Sequence, residues 1–182
     1  DEQRAVREIN SGIIAVEAGF LVEAIKRLES DNAQGELYLT DIAGLAFDDG
    51  RPVGAHLLED VWQTEGVNDR AQLARLGREL NRRQTQHWMS EGVTIVDPDT
   101  TWIDSAVTLA PDVTLLPGTQ LLGATAVAQG ATIGPDTTLR NVEVGVNATV
   151  IRTHGSDAVI GDDATVGPFA YLRPGTELGA KG

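Results

Sequence analysis

Apolar residues recur with two different spacings along the chain, and the change falls near Gly92. Before this residue, apolar positions follow the three-to-four-residue spacing of amphipathic helices, whereas beyond it they recur every six residues. Six of the seven prolines also lie beyond Gly92. The pattern therefore predicts a boundary between two differently built parts of the chain.

In the front part, the pattern predicts short strands that alternate with helices. The apolar segments 9–16 and 52–58 predict strands, and Asp49-Gly50 predicts the turn before the second of them. A short helix is predicted from Thr40 or Asp41, as its cap, through residue 47, and residues 30–32 are expected to end an earlier helix. Five apolar residues share one face of that earlier helix: Phe20, Leu21, Ala24, Ile25 and Leu28. This alternation indicates part of an α/β layer.

The longest predicted helix covers residues 70–90, with Asn68 and Asp69 in front of it as candidate caps. A helix of this length spans roughly 30 Å, enough to separate two domains. It carries five arginines without interleaved stacking aromatics, so we interpret them as solvent-facing side chains and not as a nucleic-acid surface. They are Arg70, Arg75, Arg78, Arg82 and Arg83.

Beyond Gly92, aliphatic residues occupy every sixth position. The first seven are Ile103, Leu109, Leu115, Leu121, Val127, Ile133 and Leu139. The period slips by one residue at Val144 and Val150, and it resumes at Ile160, Val166, Leu172 and Leu178 after an apparent insertion at residues 153–157. A second column of small or β-branched residues lies four positions after most of these residues, and glycine and proline are frequent in between.

This six-residue period with turn residues predicts a parallel β-helix, in which three hexapeptides form one coil. About 80 repeat residues then correspond to about four coils. We expect residues 153–157 to form a loop that leaves the coil.

Composition narrows the classes of function. There are 14 basic and 27 acidic residues, a formal net charge of -13, and the acidic excess extends over both parts. A negative field of this kind repels nucleic acids and anionic membranes, so we expect neither as a partner. The chain has no cysteine, which fits a reducing compartment such as the cytoplasm. No apolar run is long enough to predict a membrane-spanning helix or a signal peptide.

Four motifs, in this order, resemble one known family. They are EINSG at residues 8–12, NAQGELYLTD at 32–41, EGVNDRAQL at 65–73 and GPFAYLRPG at 167–175. With the long helix and the hexapeptide repeat, they resemble the bacterial bifunctional N-acetylglucosamine-1-phosphate uridyltransferase and glucosamine-1-phosphate N-acetyltransferase.

The resemblance implies three parts. Residues 1–68 would be a remnant of an α/β nucleotidyltransferase domain, residues 69–91 a linking helical arm, and residues 92–182 the first coils of a left-handed parallel β-helix acetyltransferase domain. The likeness covers essentially the whole chain but only the middle of the family's longer sequence. The glycine-rich nucleotide loop and a Mg²⁺-binding aspartate would precede it, and the acetyltransfer histidine and the acetyl-CoA surface would follow it. We therefore expect this fragment alone to be inactive.

For the full protein, the resemblance implies synthesis of UDP-N-acetylglucosamine for cell-wall precursors. One reaction would transfer acetyl from acetyl-CoA to glucosamine 1-phosphate, and the other would transfer uridylyl from UTP to N-acetylglucosamine 1-phosphate with Mg²⁺. The β-helix would assemble as a homotrimer. The alternatives are another hexapeptide-bearing sugar-1-phosphate nucleotidyltransferase and a non-catalytic trimerising scaffold.

The resemblance also assigns site residues, each with a plainer alternative. Asn10 would hydrogen-bond the sugar of UDP-N-acetylglucosamine, or it is a turn asparagine. Asn68 would give one oxygen to Mg²⁺ and contact the nucleotide sugar, or it caps the long helix. Arg173 would bind the phosphate of the sugar acceptor between subunits, or it is a solvated arginine. Tyr38 and Thr40 are weaker candidates for ligand contact, with packing and capping as the alternatives. The three histidines, His56, His87 and His154, have no spacing that suits a metal site or catalysis.

Overall fold

The computed structural model describes residues 8–30 and 35–182. Contacts divide the chain into two compact units, one ending at Val67 and the other running from Asn68 to Gly182. Three predicted features lie partly outside the described residues. They are the expected nucleotidyltransferase remnant, at residues 1–7, the predicted helix stop, at residues 31 and 32, and the second motif, at its first three residues.

The first unit contains the two predicted helices, α1 (Ala18–Ile25) and α2 (Ile42–Asp48). Phe20 and Ala24 of α1 form a small apolar cluster with Ile42 and Ala46 of α2. These residues stand four apart on each helix, so each pair lies on one face. One 3-10 turn, Leu39–Asp41, leads into α2, and another spans Val61–Gln63.

The two strands predicted in the first unit are not present. Residues 9–16 and 52–58 form no strand, and Ile9 and Leu57 are 93% and 71% exposed. An apolar segment becomes a strand only when its backbone pairs with a neighbour, and no residue described before Asn68 belongs to a sheet. The predicted α/β nucleotidyltransferase layer is therefore not seen in the described part of this unit.

Helix α3 (Arg70–Ser90) opens the second unit with the predicted bounds. The Asp69 carboxylate accepts from the Gln72 backbone N–H at 2.7 Å, and the Gln72 side-chain oxygen accepts from the Asn68 N–H at 2.7 Å. This reciprocal pairing satisfies two backbone donors at the start of the helix. Gly92, with φ 89°, then directs the chain into the repeat.

The repeat forms fifteen strands of two or three residues. They are β1 (Thr94–Ile95), β2 (Trp102–Ile103), β3 (Thr108–Leu109), β4 (Thr114–Leu115), β5 (Gln120–Leu122), β6 (Ala126–Val127), β7 (Thr132–Ile133), β8 (Thr138–Arg140), β9 (Glu143–Val144), β10 (Thr149–Val150), β11 (His154–Ser156), β12 (Val159–Ile160), β13 (Thr165–Val166), β14 (Tyr171–Leu172) and β15 (Glu177–Leu178).

Three parallel five-stranded sheets arise because every third strand pairs. Their orders are β1-β4-β7-β10-β13, β2-β5-β8-β11-β14 and β3-β6-β9-β12-β15. Five strands in each sheet give a solenoid of about five turns, against about four predicted. The two strands that the sequence pattern lacks are β1, ahead of the six-residue period, and β11, within the predicted loop. The architecture is consistent with a left-handed β-helix.

The predicted inward column forms the core of the solenoid. Leu115, Leu121, Ile133 and Leu139 are 0% exposed, and the column thins at its end, where Leu172 and Leu178 are only half-buried. The second predicted column is also inside, from Val107 and Val113 through Thr119, Thr125, Ala131, Thr137, Ala148 and Ala164.

The predicted loop at residues 153–157 is instead part of the coil. These residues contain β11, which pairs with β8 on one side and β14 on the other. Gly155 takes the inward position between Leu139 and Leu172. The coil continues through this segment because successive inward residues are here five positions apart instead of six, from Val150 to Gly155 and from Gly155 to Ile160. A search for aliphatic residues every six positions passes over an inward glycine, so the prediction of an extruded loop is wrong.

Helix α3 packs against β1 and β2 of the first coil. Asn81 and Thr85 on one face of the helix are buried, and Trp88, further along the same face, packs against the apolar core of the solenoid. The helix therefore covers one end of the stack, where a solenoid requires a cap.

Candidate functional site

Asn10 lies in a turn with an exposed side chain. Its side-chain oxygen accepts from the Gly12 N–H at 2.9 Å, and the Ser11 hydroxyl accepts from the Ile13 N–H at 3.3 Å. These are local side-chain to backbone turns. The Asn10 amide nitrogen makes no hydrogen bond to any described residue, so it is available to donate to a ligand.

Asn68 lies immediately before the cap of α3 and is exposed. Asp69 caps the helix, and Asn68 contributes only its backbone N–H to Gln72. The capping alternative for the Asn68 side chain is therefore wrong. That carboxamide makes no hydrogen bond within the described part of the chain.

A divalent cation could use the Asn68 side-chain oxygen as one ligand. Mg²⁺ prefers oxygen donors and usually retains several waters, so one neutral carboxamide oxygen suits a partial contribution. Among residues 8–30 and 35–182, no group of three or more His, Cys, Asp or Glu side chains could hold a metal ion. The remaining ligands would have to come from other groups.

Tyr38 and Thr40 flank the start of the 3-10 turn before α2. Tyr38 is half-buried and its carbonyl accepts from the Asp41 N–H at 3.1 Å, whereas Thr40 is exposed. Asp41 occupies the position before α2 without a side-chain capping bond, so the predicted Asp41 cap is not made. The preceding 3-10 turn continues directly into the helix instead.

Arg173 follows β14 at a turn of the solenoid and is exposed. Its carbonyl accepts from the Thr176 N–H at 3.0 Å and from the Thr176 hydroxyl at 2.7 Å, which fixes the turn. Its guanidinium forms no ion pair with the described residues. The Tyr171 ring, two residues earlier, stacks on His154 of the preceding coil, with ring centroids 5.7 Å apart and planes at 24°. Arg173 therefore presents an exposed planar donor group two residues after the stacked Tyr171 ring.

The candidate residues are distributed over both units. Asn10, Tyr38 and Thr40 belong to the first unit, and Asn68 and Arg173 belong to the second. A groove of about 350 Å³ between α3 and the first coil is lined by Leu80, Asn81 and Trp102 among others, and it contains none of the candidates.

Two features of α3 were missed by sequence reasoning. Arg82 and Arg83 are not simply solvated, because both hydrogen-bond to Glu79 at 2.7 Å. These two hydrogen bonds lower the pKa of Glu79 to about 2. The sequence could have indicated these hydrogen bonds, because Arg82 and Arg83 follow the oppositely charged Glu79 at the i+3 and i+4 positions of a helix. The second feature is Asn81, a polar residue on the buried face of the helix that no motif indicates.

The geometry defines a class of protein: a hexapeptide-repeat β-solenoid closed at one end by a helix. Over its full length the chain is similar to curated proteins named Bifunctional protein GlmU. It is 63% identical over 182 residues to the protein from Pseudarthrobacter chlorophenolicus, 58% identical to that from Corynebacterium efficiens and 59% identical to that from Rhodococcus jostii. The family identified from the four motifs is therefore confirmed.

The chain spans only 37%, 37% and 36% of the lengths of these three relatives. No family model matches the chain. Among the described residues, none of the helices is long and apolar enough to cross a membrane.

Proposed function

We propose that the chain is part of a cytoplasmic, homotrimeric bifunctional enzyme that makes UDP-N-acetylglucosamine for cell-wall precursors. The observation that carries this proposal is the similarity of all 182 residues, at 63% identity, to a protein named as bifunctional. Free polar groups at Asn10, Asn68 and Arg173 are the features that a purely structural scaffold would not need. The chain by itself is inactive under this proposal, because neither reaction has its complete set of groups here.

In the uridyltransferase reaction, a phosphate oxygen of N-acetylglucosamine 1-phosphate attacks the α-phosphorus of UTP, and the bond to the leaving pyrophosphate breaks. Asn10 donates its free amide N–H to the sugar, adding no charge beside the phosphates. Asn68 offers its carboxamide oxygen to Mg²⁺. When bound, the ion supplies charge neutralisation and alignment of the phosphates.

In the acetyltransferase reaction, the amine of glucosamine 1-phosphate attacks the thioester carbon of acetyl-CoA and the C–S bond breaks. The nitrogen loses one proton as the amide forms, and the departing CoA thiolate takes up one proton to become the free thiol. Arg173 holds the phosphate of the amino sugar through two parallel N–H···O bonds, for which the guanidinium is shaped. In the trimer, neighbouring subunits complete this site.

The first test is pyrophosphate release from UTP and N-acetylglucosamine 1-phosphate with Mg²⁺ by the intact protein. Asn68→Ala removes the carboxamide but keeps the backbone N–H that bonds Gln72. Gln72→Ala is the matched control, because it removes the acceptor of the Asn68 N–H at the start of the helix but leaves the Asn68 side chain unchanged. Loss of release in Asn68→Ala alone supports the metal role.

Equal losses in both variants would mean that the helix start matters and not the carboxamide. Absence of release by the folded wild type would instead favour another sugar-1-phosphate nucleotidyltransferase, to be assayed with other nucleotides. Failure with every nucleotide sugar would favour the trimerising scaffold.

A further inference from the structure

The first coil has an edge strand whose outward backbone groups are buried. β2 is the last strand of its sheet, so no further strand pairs with it there. The carbonyl of Thr101 and the N–H of Ile103 point away from β5, because the groups of Trp102 and Asp104 form the bonds towards β5. Thr101 and Ile103 are 0% and 4% exposed, so unpaired groups here would be costly.

Asn81 of α3 satisfies both groups. Its amide nitrogen donates to the Thr101 carbonyl at 2.8 Å, and its side-chain oxygen accepts from the Ile103 N–H at 3.0 Å. The partners fix the orientation of the carboxamide, because a carbonyl only accepts and an N–H only donates. The Asn81 side chain is itself only 7% exposed.

This is the bonding of one residue in a parallel ladder. In such a ladder, a residue donates its N–H to one residue of the neighbouring strand and accepts at its C=O from the residue two further on. In the coils above, Trp102 donates to Thr119 at 2.9 Å, Gln120 to Thr137 at 2.8 Å, Thr138 to Thr153 at 2.9 Å and His154 to Ala170 at 3.0 Å. The bond from Asn81 to Thr101, at 2.8 Å, begins this row with a similar length.

We propose that the carboxamide of Asn81 takes the place of a peptide group from a preceding coil and thereby terminates the solenoid at β2, occupying the edge where a strand from a second copy of the chain would otherwise add. Open strand edges are sites of such addition. Among the described residues, no other side chain pairs in this two-way manner with the first coil. The neighbouring face residues of α3 support the contact by packing, with Thr85 buried and Trp88 against the core.

The test compares Asn81→Leu and Asn81→Asp in the intact protein. Leucine keeps the branched shape at Cγ, with two larger methyl groups in place of the amide nitrogen and oxygen, and can form neither bond. Ionised aspartate can accept from Ile103 but places a second oxygen against the Thr101 carbonyl. Protonated aspartate can again donate to Thr101 and accept from Ile103, so acid should restore the ladder geometry in that variant alone.

The measurement is hydrogen exchange at the Ile103 amide, corrected at each pH for intrinsic exchange and expressed relative to wild type. At pH 7 both variants should lower protection by about tenfold or more. At about pH 4, Asn81→Asp should return to within about threefold of wild type, while Asn81→Leu should not. Asp104, which lines the same groove, is present in all three proteins, so the ratio to wild type removes its effect.

Unchanged protection in Asn81→Leu at pH 7 would overturn the proposal. So would an Asn81→Asp variant that acid does not restore, or recovery of both variants together. The proposal does not depend on the enzyme's activity, and its failure would leave the proposed function unaffected.

Discussion

Gly155 lies directly against Leu139 inside the solenoid, where a β-carbon built on the glycine would be 3.3 Å from the Leu139 Cδ2 atom. Leu172 on the other side would be 3.4 Å from the same carbon. Every other strand of this sheet contributes a larger inward side chain. The absence of a side chain at β11 is therefore compensated by the two leucines that close around it.

This packing predicts that Gly155→Val destabilises the solenoid. The valine methyl groups would overlap both leucines, and overpacking of a full core costs about 1–3 kcal/mol. Denaturant unfolding of the intact protein, followed by a probe in the repeat, would measure the change. Gly179→Val is the matched control, because no atom lies within 4 Å of a β-carbon built there. Equal effects of the two variants would contradict the packing explanation.

Glu79 predicts a specific acid sensitivity of α3. Hydrogen bonds from Arg82 and Arg83 lower its pKa to about 2, below its ordinary value of 4.5. The folded state thus favours the charged form, and its contribution to stability is present above about pH 4.5 and is lost as pH falls through about 2. Glu79→Gln should reduce protection of the α3 amides at pH 7, and its difference from wild type should vanish near pH 2. A difference independent of pH would contradict this assignment.

The proposed phosphate-binding role of Arg173 in acetyl transfer predicts a loss of activity that a positive charge alone does not restore. Removing a charge-assisted pair of bonds to phosphate by Arg173→Ala should lower kcat/KM for glucosamine 1-phosphate by about ten- to a hundredfold. Arg173→Lys should recover only part, since an ammonium lacks the planar fork. Arg152→Ala is a suitable control, because Arg152 is an exposed solenoid arginine that pairs with Asp136 at 3.6 Å. Light scattering should show the same oligomeric state as wild type, and comparable losses in both alanine variants would reject a specific role.

The start of α3 gives a fourth prediction. Asp69→Ala removes the acceptor for the Gln72 N–H and should cost about 0.5–2 kcal/mol of helix stability. Asp69→Ser should largely retain the cap, because serine at this position also accepts from the helix N-terminus. Hydrogen exchange over residues 70–77 measures both variants. Equal exchange in the two variants would show that the carboxylate acts otherwise than as a cap.

The core of the repeat could be predicted from sequence because an inward position on a narrow solenoid admits few side chains. Leu121 and Ile133 are therefore visible in a six-residue period. Gly155 could not be recognised as an inward position, because in the sequence a glycine that faces inward cannot be distinguished from a glycine in a turn. The apolar segment at 9–16 misled for another reason: its composition fits a strand, but pairing depends on a neighbour that the segment itself does not specify.

The candidate site was predicted less completely than the core. Motifs indicated Asn68 and Arg173 as candidates, and the structure adds that Asp69, and not Asn68, caps α3. Asn81 could not be predicted, since a single asparagine in a helix gains meaning only from the edge of β2 that it meets, 20 and 22 residues further along the chain. A hydrogen bond between residues so far apart in the chain leaves no mark in the local sequence pattern.

The repeat alone does not fix which hexapeptide begins the solenoid, because a shift of the strand pairing by one repeat still leaves an aliphatic column facing inward. The two hydrogen bonds of Asn81 to Thr101 and Ile103 define the first coil, since they involve two particular backbone groups. Every later residue then has a fixed position along the solenoid relative to α3. This includes Arg173, which directly follows β14, the strand four positions from β2 in the same sheet. Besides closing the stack, helix α3 thus fixes the position along the solenoid of a distant candidate residue.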